Sequence, residues 1–319
     1  MATDPSTRKV VYAALAGNLL VALTKAVAAA WTGSSSMLSE AVHSFVDTGN
    51  ELLLLYGIHK ARRGADAEHP VGRGRELYFW SFIVAVLVFA LGAGVSIFQG
   101  IAHIRNPVEI SDPAVNYVVL ALAFLFEGAS WWVALRQFRA AKGSLGWFEA
   151  FRKSKDPPSF MVLFEDSAAL VGIVLAALGT LAATSFNAPV LDGVASILIG
   201  VVLAGTSILL ARESKSLLIG ERADHALGEA ILRIANAQEA VVNANGVITL
   251  QLAPDQVVVT LSLEFEDELR TPAIEAAVVK IENELRAAHP EVVAFFVKPQ
   301  TRGRYREMLA SRGQDGAGL

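Results

Sequence analysis

Six long apolar segments fill most of the first 212 residues, and they constrain the fold more than any other feature of the sequence. A helix needs about 20 mostly apolar residues to cross the hydrocarbon core of a bilayer. In the whole chain of 319 residues, 53% of the side chains are hydrophobic and only 18% are charged. We therefore predict an α-helical membrane protein with six transmembrane helices, over residues 10–31, 36–58, 78–104, 114–138, 160–186 and 190–211.

Basic residues are concentrated on alternate connections between these segments. Within the first 212 residues, the N-terminal stretch and the second and fourth connections carry most of the Lys and Arg, whereas the first, third and fifth connections carry almost only Arg105. Because basic loops stay on the cytoplasmic side of a membrane, both termini are expected in the cytoplasm. This predicts a multi-pass protein of the inner or plasma membrane, with the lipid bilayer as a partner.

After residue 212 the composition changes to that of a soluble domain. Residues 257–267, VVVTLSLEFED, alternate like a strand, and residues 273–288, AIEAAVVKIENELRAA, repeat every 3.6 residues like a helix. We predict that the membrane domain over 1–212 is followed by a cytosolic α+β dimerisation domain over 213–304, with the order α-β-β-α-β. The polar tail over 305–319 is expected to be disordered.

Charge and cysteine content exclude several classes of function. The net charge is −4, with no basic arm, so the chain is not expected to bind nucleic acid. The absence of cysteine excludes disulfides, thiolate metal sites and thiol nucleophiles. Imidazole, carboxylate and neutral oxygen remain as metal ligands.

The second apolar segment contains four ionisable side chains, Glu40, His43, Asp47 and Glu51. Each costs about 2.5 kcal/mol or more at the centre of a bilayer. At about 100° per residue, the four fall within about 80° on one helix face. His43 and Asp47 are spaced i, i+4, so both can reach one divalent first-row metal ion. Glu40 and Glu51 are expected near the span ends, where a solvated carboxylate costs little.

The fifth segment adds Glu165 and Asp166, which point about 100° apart, so one of them faces a given centre more directly. His43, Asp47 and one of these carboxylates would give about three protein ligands, with water or Glu165 completing a tetrahedron. Since ligands lose protons when they bind a metal, such a site links metal loading to proton release.

Other ionisable residues within the apolar segments are predicted to stabilise the structure. Lys25, in the first segment, is interpreted as an ion-pair or hydrogen-bonding group, with Glu127 and Asp192 as the two candidate partners. The remaining histidines are expected at the surface or hydrogen-bonded, without a chemical role; they include His59, His103, His225 and His289.

Three motifs together resemble those of the cation diffusion facilitator family. They are SEAVHSFVDTGN in the second segment, HPVGRGRELYFW after it, and EDSAALVG in the fifth. The resemblance covers about residues 8–304. It implies a homodimeric antiporter that exports zinc or a related divalent ion against protons, with a ferredoxin-like C-terminal domain. The metal is then a transported substrate, and no cofactor is implied.

The resemblance also implies a ligand set. The family takes two ligands spaced i, i+4 from the second span, which match His43 and Asp47, and two from the fifth, which match Val162 and Asp166. Because Val162 cannot bind a metal, Glu165 becomes the substitute, and the expected metal ligands are His43, Asp47, Asp166 and Glu165. The combination of HSxxDTxN and EDxAA is similar to the branch that includes an animal mitochondrial zinc transporter.

Two further metal sites of the family depart from the pattern. In the loop after the second segment, Asp66 and His69 match, but Arg73 stands where a second histidine is usual, so this site is expected to be weak or absent. The matching strands of the C-terminal domain read VTLSLEF and AFFVKPQ, which contain no histidine, so metal sensing is expected to be lost and dimerisation to need no metal.

The leading hypothesis is a proton-coupled divalent metal exporter that works by alternating access. One imidazole with two or three carboxylates is a harder ligand set than two histidines, so zinc leads, and manganese, iron and cobalt are rivals. Two other classes stay open. A non-transporting, metal-responsive membrane scaffold would not need acids in the membrane, and an intramembrane metal-dependent hydrolase would need a general base beside the metal, for which Glu165 is the one hint. No enzyme activity is expected.

Overall fold

The computed structural model describes the backbone of residues 5–311, and the side chains of residue 15 and of residues 17–311. The chain forms two compact units. One, the membrane unit, comprises the chain up to His59 together with Glu76–Lys215. The other, the C-terminal unit, comprises the connection Lys60–Arg75 together with the chain from Ser216 onward.

Long helices make up the membrane unit. The π-helical segment Val88–Ala93 joins α3 and α4 into one continuous helix. Proline at or next to the first helical position starts α5 and α7, where a missing backbone N–H costs nothing. The helices are α1 (Pro5–Thr32), α2 (Ser35–Ala61), α3 (Glu76–Leu87), α4 (Gly94–Arg105), α5 (Pro113–Lys142), α6 (Trp147–Lys153), α7 (Pro157–Ser185) and α8 (Val190–Ile219).

Among the described residues, four continuous helices are long and apolar enough to cross a membrane, namely Glu76–Arg105, Pro113–Lys142, Pro157–Ser185 and Val190–Ile219. They cover the third to sixth predicted segments, except for Phe186 at the end of the fifth. Helices α1 and α2 cover the first two, and the polar side chains of α2 make it less apolar than the others. The chain is therefore a helical membrane protein with a small C-terminal domain, and the count of six spans stays a prediction.

Small residues let α4 and α8 pack closely. A Cβ atom added to Gly100 would lie 2.6 Å from the carbonyl oxygen of Gly193. Lipid tails are as apolar as the helices, so such close contact is a main source of helix association in a membrane. One turn further along α8, Ser196 donates to the Ser96 carbonyl at 2.8 Å and lies 2.6 Å from the Ser39 hydroxyl. These contacts join α2, α4 and α8.

The C-terminal unit is built on a three-stranded sheet of order β1-β2-β3. Strands β1 and β2 are antiparallel, whereas β2 and β3 are parallel and need the crossover helix α10 between them. The order of the first five elements confirms the predicted α-β-β-α-β. The elements are α9 (His225–Asn236), β1 (Val241–Ala253), β2 (Gln256–Phe265), α10 (Thr271–Ala288), β3 (Val292–Pro299) and α11 (Arg302–Ser311).

The alternating pattern of β2 accounts for the core of this unit. The central strand β2 contributes the buried side chains of Val259, Leu261 and Leu263 to the core. Helix α10 contributes Ile281 and Leu285, which belong to the same core cluster. A strand of period 2 and a helix of period 3.6 thus present their apolar faces to each other.

The end of the chain differs from the predicted disorder over 305–319, because Arg302–Ser311 form helix α11. Tyr305 is buried, and its hydroxyl lies over Gly246 of β1. The helix is otherwise mostly polar, so one buried aromatic side chain is its main apolar attachment. The rest of the predicted tail, 312–319, lies outside the described residues. The predicted domain boundary at 213 falls inside α8, which continues to Ile219.

We expect Tyr305→Ala to release α11 from the sheet, because loss of a buried aromatic side chain costs about 3 kcal/mol or more. Amide hydrogen exchange in the full-length protein measures this as loss of protection over Arg302–Ser311. Arg306→Ala, which changes an exposed side chain of the same helix, is the control. Unchanged protection in Tyr305→Ala would contradict the packing described.

Candidate functional site

The polar face of α2 places His43 and Asp47 side by side, with His43 Nδ1 3.4 Å from Asp47 Oδ1. His43 is 1% exposed, and the Asp47 side chain is 20% exposed. Among the described residues, neither ring nitrogen of His43 nor Oδ1 of Asp47 has a hydrogen-bond partner. Buried polar atoms without partners are rare because each costs free energy. Apart from the contact between Nδ1 and Oδ1, these atoms are therefore available to a ligand.

Helix α7 supplies Glu165 and Asp166, which face different neighbours. Glu165 Oε1 accepts a hydrogen bond from Asn50 Nδ2 of α2 at 3.1 Å. Asp166 Oδ2 accepts one from Ser130 Oγ of α5 at 2.9 Å. The two carboxylates thus diverge, as expected for consecutive helix positions. Val162, at the position of the family's fourth ligand, packs against an apolar cluster.

Several carboxylates gather around Asp47. Glu165, Glu127 and Asp166 all lie within electrostatic range of it. In a medium of low dielectric constant such like charges repel one another strongly, so this part of the membrane unit favours cations. Glu127, on α5, belongs to none of the sequence motifs. The sequence feature that could have identified Glu127 as a functional residue is its position as an acid inside an apolar span.

The four predicted ligands do not form a coordination shell in this conformation. In the part of the chain that the structure describes, no three His, Asp or Glu side chains are close enough to hold a metal ion. The structure brings His43 and Asp47 together, and holds Glu165 and Asp166 in hydrogen bonds to α2 and α5. The ligand set stays a prediction.

Glu40 is buried, whereas the sequence predicts a solvated carboxylate near the end of the span. It is 0% exposed, and its Oε2 lies 3.1 Å from Lys25 Nζ. Lys25 Nζ also lies 3.5 Å from Glu127 Oε1, which identifies Glu127, and not Asp192, as its second acidic partner. The expectation for Glu40 is wrong because other helices cover the first turns of α2, and the pattern along α2 does not show which parts are covered.

Asp192, near the start of α8, caps the N-terminus of α2. Its carboxylate accepts hydrogen bonds from the backbone N–H groups of Ser35 and Ser36, at 2.5 and 3.2 Å. It also accepts from the hydroxyls of Ser34, at 3.0 Å, and Ser36. The first N–H groups of a helix have no partner within the helix, and a negative charge there interacts favourably with the helix dipole. Asp192 therefore fixes the start of α2.

His103 of α4 lies beside this cap and corrects a second expectation. It is buried, with Nε2 4.0 Å from Asp192 Oδ2, and that nitrogen has no hydrogen-bond partner among the described residues. The sequence predicts that His103 is at the surface or hydrogen-bonded. The structure instead buries it, and its Nε2 makes no hydrogen bond to a described residue. The cause is the close packing of α4 on α8, which encloses a position near the helix end.

The connection between α2 and α3 contains Asp66, His69 and Arg73. The Arg73 guanidinium donates to Asp66 Oδ2 from Nε at 3.3 Å and from Nη2 at 2.8 Å, and His69 Nδ1 lies 3.2 Å from Asp66 Oδ1. The Arg73 guanidinium holds the pKa of the exposed Asp66 carboxyl well below its usual range. An internal cation already neutralises the one acid of this loop site, which supports the expectation that the site is weak or absent.

Comparison with known proteins identifies the class. The model of the cation efflux transmembrane domain matches residues 11–219, which contain the predicted segments and ligands. The chain therefore belongs to the cation efflux family, the cation diffusion facilitators, as its motifs predict. Members of this family are transporters and not enzymes, so the hydrolase hypothesis is excluded.

Three relatives show which members of the family the chain is similar to. The chain is 34% identical over 224 residues to metal tolerance protein C4 of Arabidopsis thaliana, covering 69% of this chain and 49% of that protein. It is 38% identical over 216 residues to the mitochondrial proton-coupled zinc antiporter SLC30A9 of Xenopus laevis, covering 66% and 38%. It is 25% identical over 268 residues to the cation-efflux pump FieF of Escherichia coli, covering 84% and 83%. The chain thus spans less than half the length of the first two relatives.

We expect Asp192→Ala to destabilise the membrane unit, because it leaves the buried N–H groups of α2 without an acceptor. The cost is about 1–3 kcal/mol, measured as a lower melting temperature of the full-length protein in detergent. Asp192→Asn, which keeps an oxygen acceptor but loses the charge, should lie between Asp192→Ala and the unaltered protein. A melting temperature unchanged by Asp192→Ala would show that the cap is not needed.

Proposed function

We propose that the protein exports divalent metal ions in exchange for protons, with zinc as the main substrate. The observation that carries this proposal is the pair formed by buried His43 and partly buried Asp47, whose facing atoms have no hydrogen-bond partner among the described residues. A structural pair would have its hydrogen bonds satisfied. A histidine and an acid that face further acids within a membrane suit a cation on its way across.

The ligands would come from two helices. His43 and Asp47 stay on α2, while Asp166 and Glu165 join them from α7 after giving up their hydrogen bonds to α5 and α2. One imidazole with two or three carboxylates suits zinc, with manganese, iron and cobalt as rivals. The printed name of the relative from Xenopus laevis, a zinc antiporter, favours zinc.

Proton coupling follows from the same ligands. Histidine and carboxylates bind a metal in their deprotonated forms, so metal entry expels protons and proton return expels the metal. A shift of α7 relative to α2 would assemble the site on one side of the membrane and dismantle it on the other, as alternating access requires. The carboxylates around Asp47 then share either a metal ion or protons.

We further propose six spans, with α1 and α2 added to the four apolar ones. Both helices, of 28 and 27 residues, are long enough to cross. The basic connections then place both termini in the cytoplasm, with a membrane domain over 1–212 and a ferredoxin-like domain over 213–304 that holds a homodimer together. The inner or plasma membrane stays a prediction that the relatives do not support, since one of them is named as mitochondrial.

A non-transporting, metal-responsive scaffold is the second candidate function. It would keep the C-terminal unit but would have no need for acids around Asp47. Their presence argues for transport, and the decisive experiment is metal uptake by proteoliposomes that contain the purified protein under an imposed pH gradient. Uptake of zinc with counterflow of protons supports the exporter, and its absence in a folded, reconstituted protein supports the scaffold.

We expect Asp47→Ala to abolish metal-driven proton release, because it removes a ligand and its charge. Loss of even an outer-shell partner lowers metal affinity by about 10–100-fold, so the loss here should be larger. A pH-sensitive dye inside proteoliposomes measures it. Glu51→Gln is the control, since the amide keeps an oxygen for the hydrogen bond from Asn18. Full proton release by Asp47→Ala would move the site elsewhere.

His43→Asp tests the metal preference. Replacing imidazole with a carboxylate makes the ligand set harder, so the ratio of zinc to manganese transport should fall while transport itself continues. Uptake of both ions by the same proteoliposomes gives this ratio. If the ratio and the rate both equal those of the unaltered protein, His43 is not a ligand.

A further inference from the structure

A lysine ammonium is enclosed by oxygen atoms in the membrane unit. Lys25 and Glu40 are both 0% exposed. Lys25 Nζ lies 2.8 Å from Ser44 Oγ, 3.1 Å from Glu40 Oε2 and 3.5 Å from Glu127 Oε1. The ammonium has three N–H donors, and α2 and α5 supply three oxygens to meet them. Surroundings made of oxygen alone, with carboxylates among them, are typical of a bound hard cation.

The cluster carries more acid than the ammonium neutralises. Lys25 contributes one positive charge, whereas Glu40 and Glu127 are two acids. Glu40 Oε1 is buried and has no hydrogen-bond partner among the described residues. A Cβ atom added to Gly172 of α7 would lie 2.2 Å from this oxygen, so α7 encloses the cluster on that side. A buried ion pair repays its desolvation only when further hydrogen bonds satisfy its remaining polar atoms, and Glu40 Oε1 has no such bond among the described residues.

We propose that the Lys25 ammonium is a tethered cation that fills a second cation site of the membrane unit, formed by Glu40, Ser44 and Glu127. Without the ammonium, these oxygens suit a hard divalent cation such as Mn²⁺. The role of Lys25 is then to keep metal ions out of this site, so that the proposed transport site on α2 receives them. This inference rests on the proposed function for its biological meaning.

The second site is close enough to the transport site to compete with it. Ser44 directly follows His43, and Glu40 precedes it by three residues on the same helix. Lys25 interacts electrostatically with both His43 and Asp47. A divalent ion held by the second site would repel the transported ion about twice as strongly as the single charge of the ammonium does. An ammonium that is covalently attached also leaves no open site to which the transported ion could be diverted.

The test is a count of bound Mn²⁺ in the full-length protein in detergent. Asp47→Ala, which disables the transport site, provides the background. On that background we expect Lys25→Gln and Lys25→Ala each to bind one additional Mn²⁺ per chain, measured by equilibrium dialysis with electron paramagnetic resonance of the free ion. Lys25→Gln is the milder change, because its neutral amide still fills part of the space and can donate to Glu40.

Two matched variants separate this site from a general effect of losing Lys25. Lys25→Arg keeps the positive charge and should bind no additional Mn²⁺. Adding Glu40→Gln to Lys25→Gln removes a carboxylate and should abolish the additional Mn²⁺. The melting temperature gives a second readout, because Mn²⁺ should raise it in Lys25→Gln and leave it unchanged once Glu40→Gln is added.

A purely structural ion pair gives the opposite result. Lys25→Gln would then be less stable, would bind no additional Mn²⁺ when folded, and would not be stabilised by Mn²⁺; this overturns the proposal. Mn²⁺ binding that persists in Asp47→Ala alone would count against the proposed transport site. The second site would still be tested, because the difference between Asp47→Ala with and without Lys25 measures it independently.

Discussion

Charged groups inside a membrane must be neutralised by other parts of the protein, and the membrane unit depends on how the acids on and around α2 meet this requirement. Asp192 accepts hydrogen bonds from the N–H groups and hydroxyls at the start of α2. Glu40 finds the ammonium of Lys25. Oδ1 of Asp47 has no hydrogen-bond partner among the described residues; it lies beside His43, and further acids are within electrostatic range. Helix α2 is therefore held in place by Asp192 of α8 and by its own Glu40, and Asp47 is left available to a ligand.

Acidic side chains that look alike in the sequence thus differ in their partners in the structure. A carboxylate with several fixed donors is anchored, because releasing it would leave buried donors and a buried charge unpaired. A carboxylate beside an unsatisfied histidine and other carboxylates lowers its free energy when a cation or a proton arrives. The proposed transport needs reversible binding of this kind, whereas the anchored carboxylates hold the helices together.

Among the described residues, two acidic clusters in which a metal ion could be expected contain a basic side chain. In the connection after α2, the Arg73 guanidinium neutralises Asp66, beside His69. In the membrane unit, the Lys25 ammonium lies among oxygens that would suit a divalent ion. On the role proposed for Lys25, a permanently attached cation in each place occupies the position of one that could exchange. A chain that keeps one exchangeable site can couple one metal ion to protons without competition from its own acids.

The sequence by itself determines the features that depend on neighbours along the chain. Apolar segments long enough to span a bilayer, the α-β-β-α-β order, and the approach of His43 to Asp47 across one helical turn all follow from local periodicity. The tertiary structure decides what depends on distant partners. Asp192 lies more than 150 positions from the helix it caps, and the burial of Glu40 and His103 depends on which helices lie against them. Periodicity shows which face of a helix a side chain occupies, but packing between helices decides what that face meets.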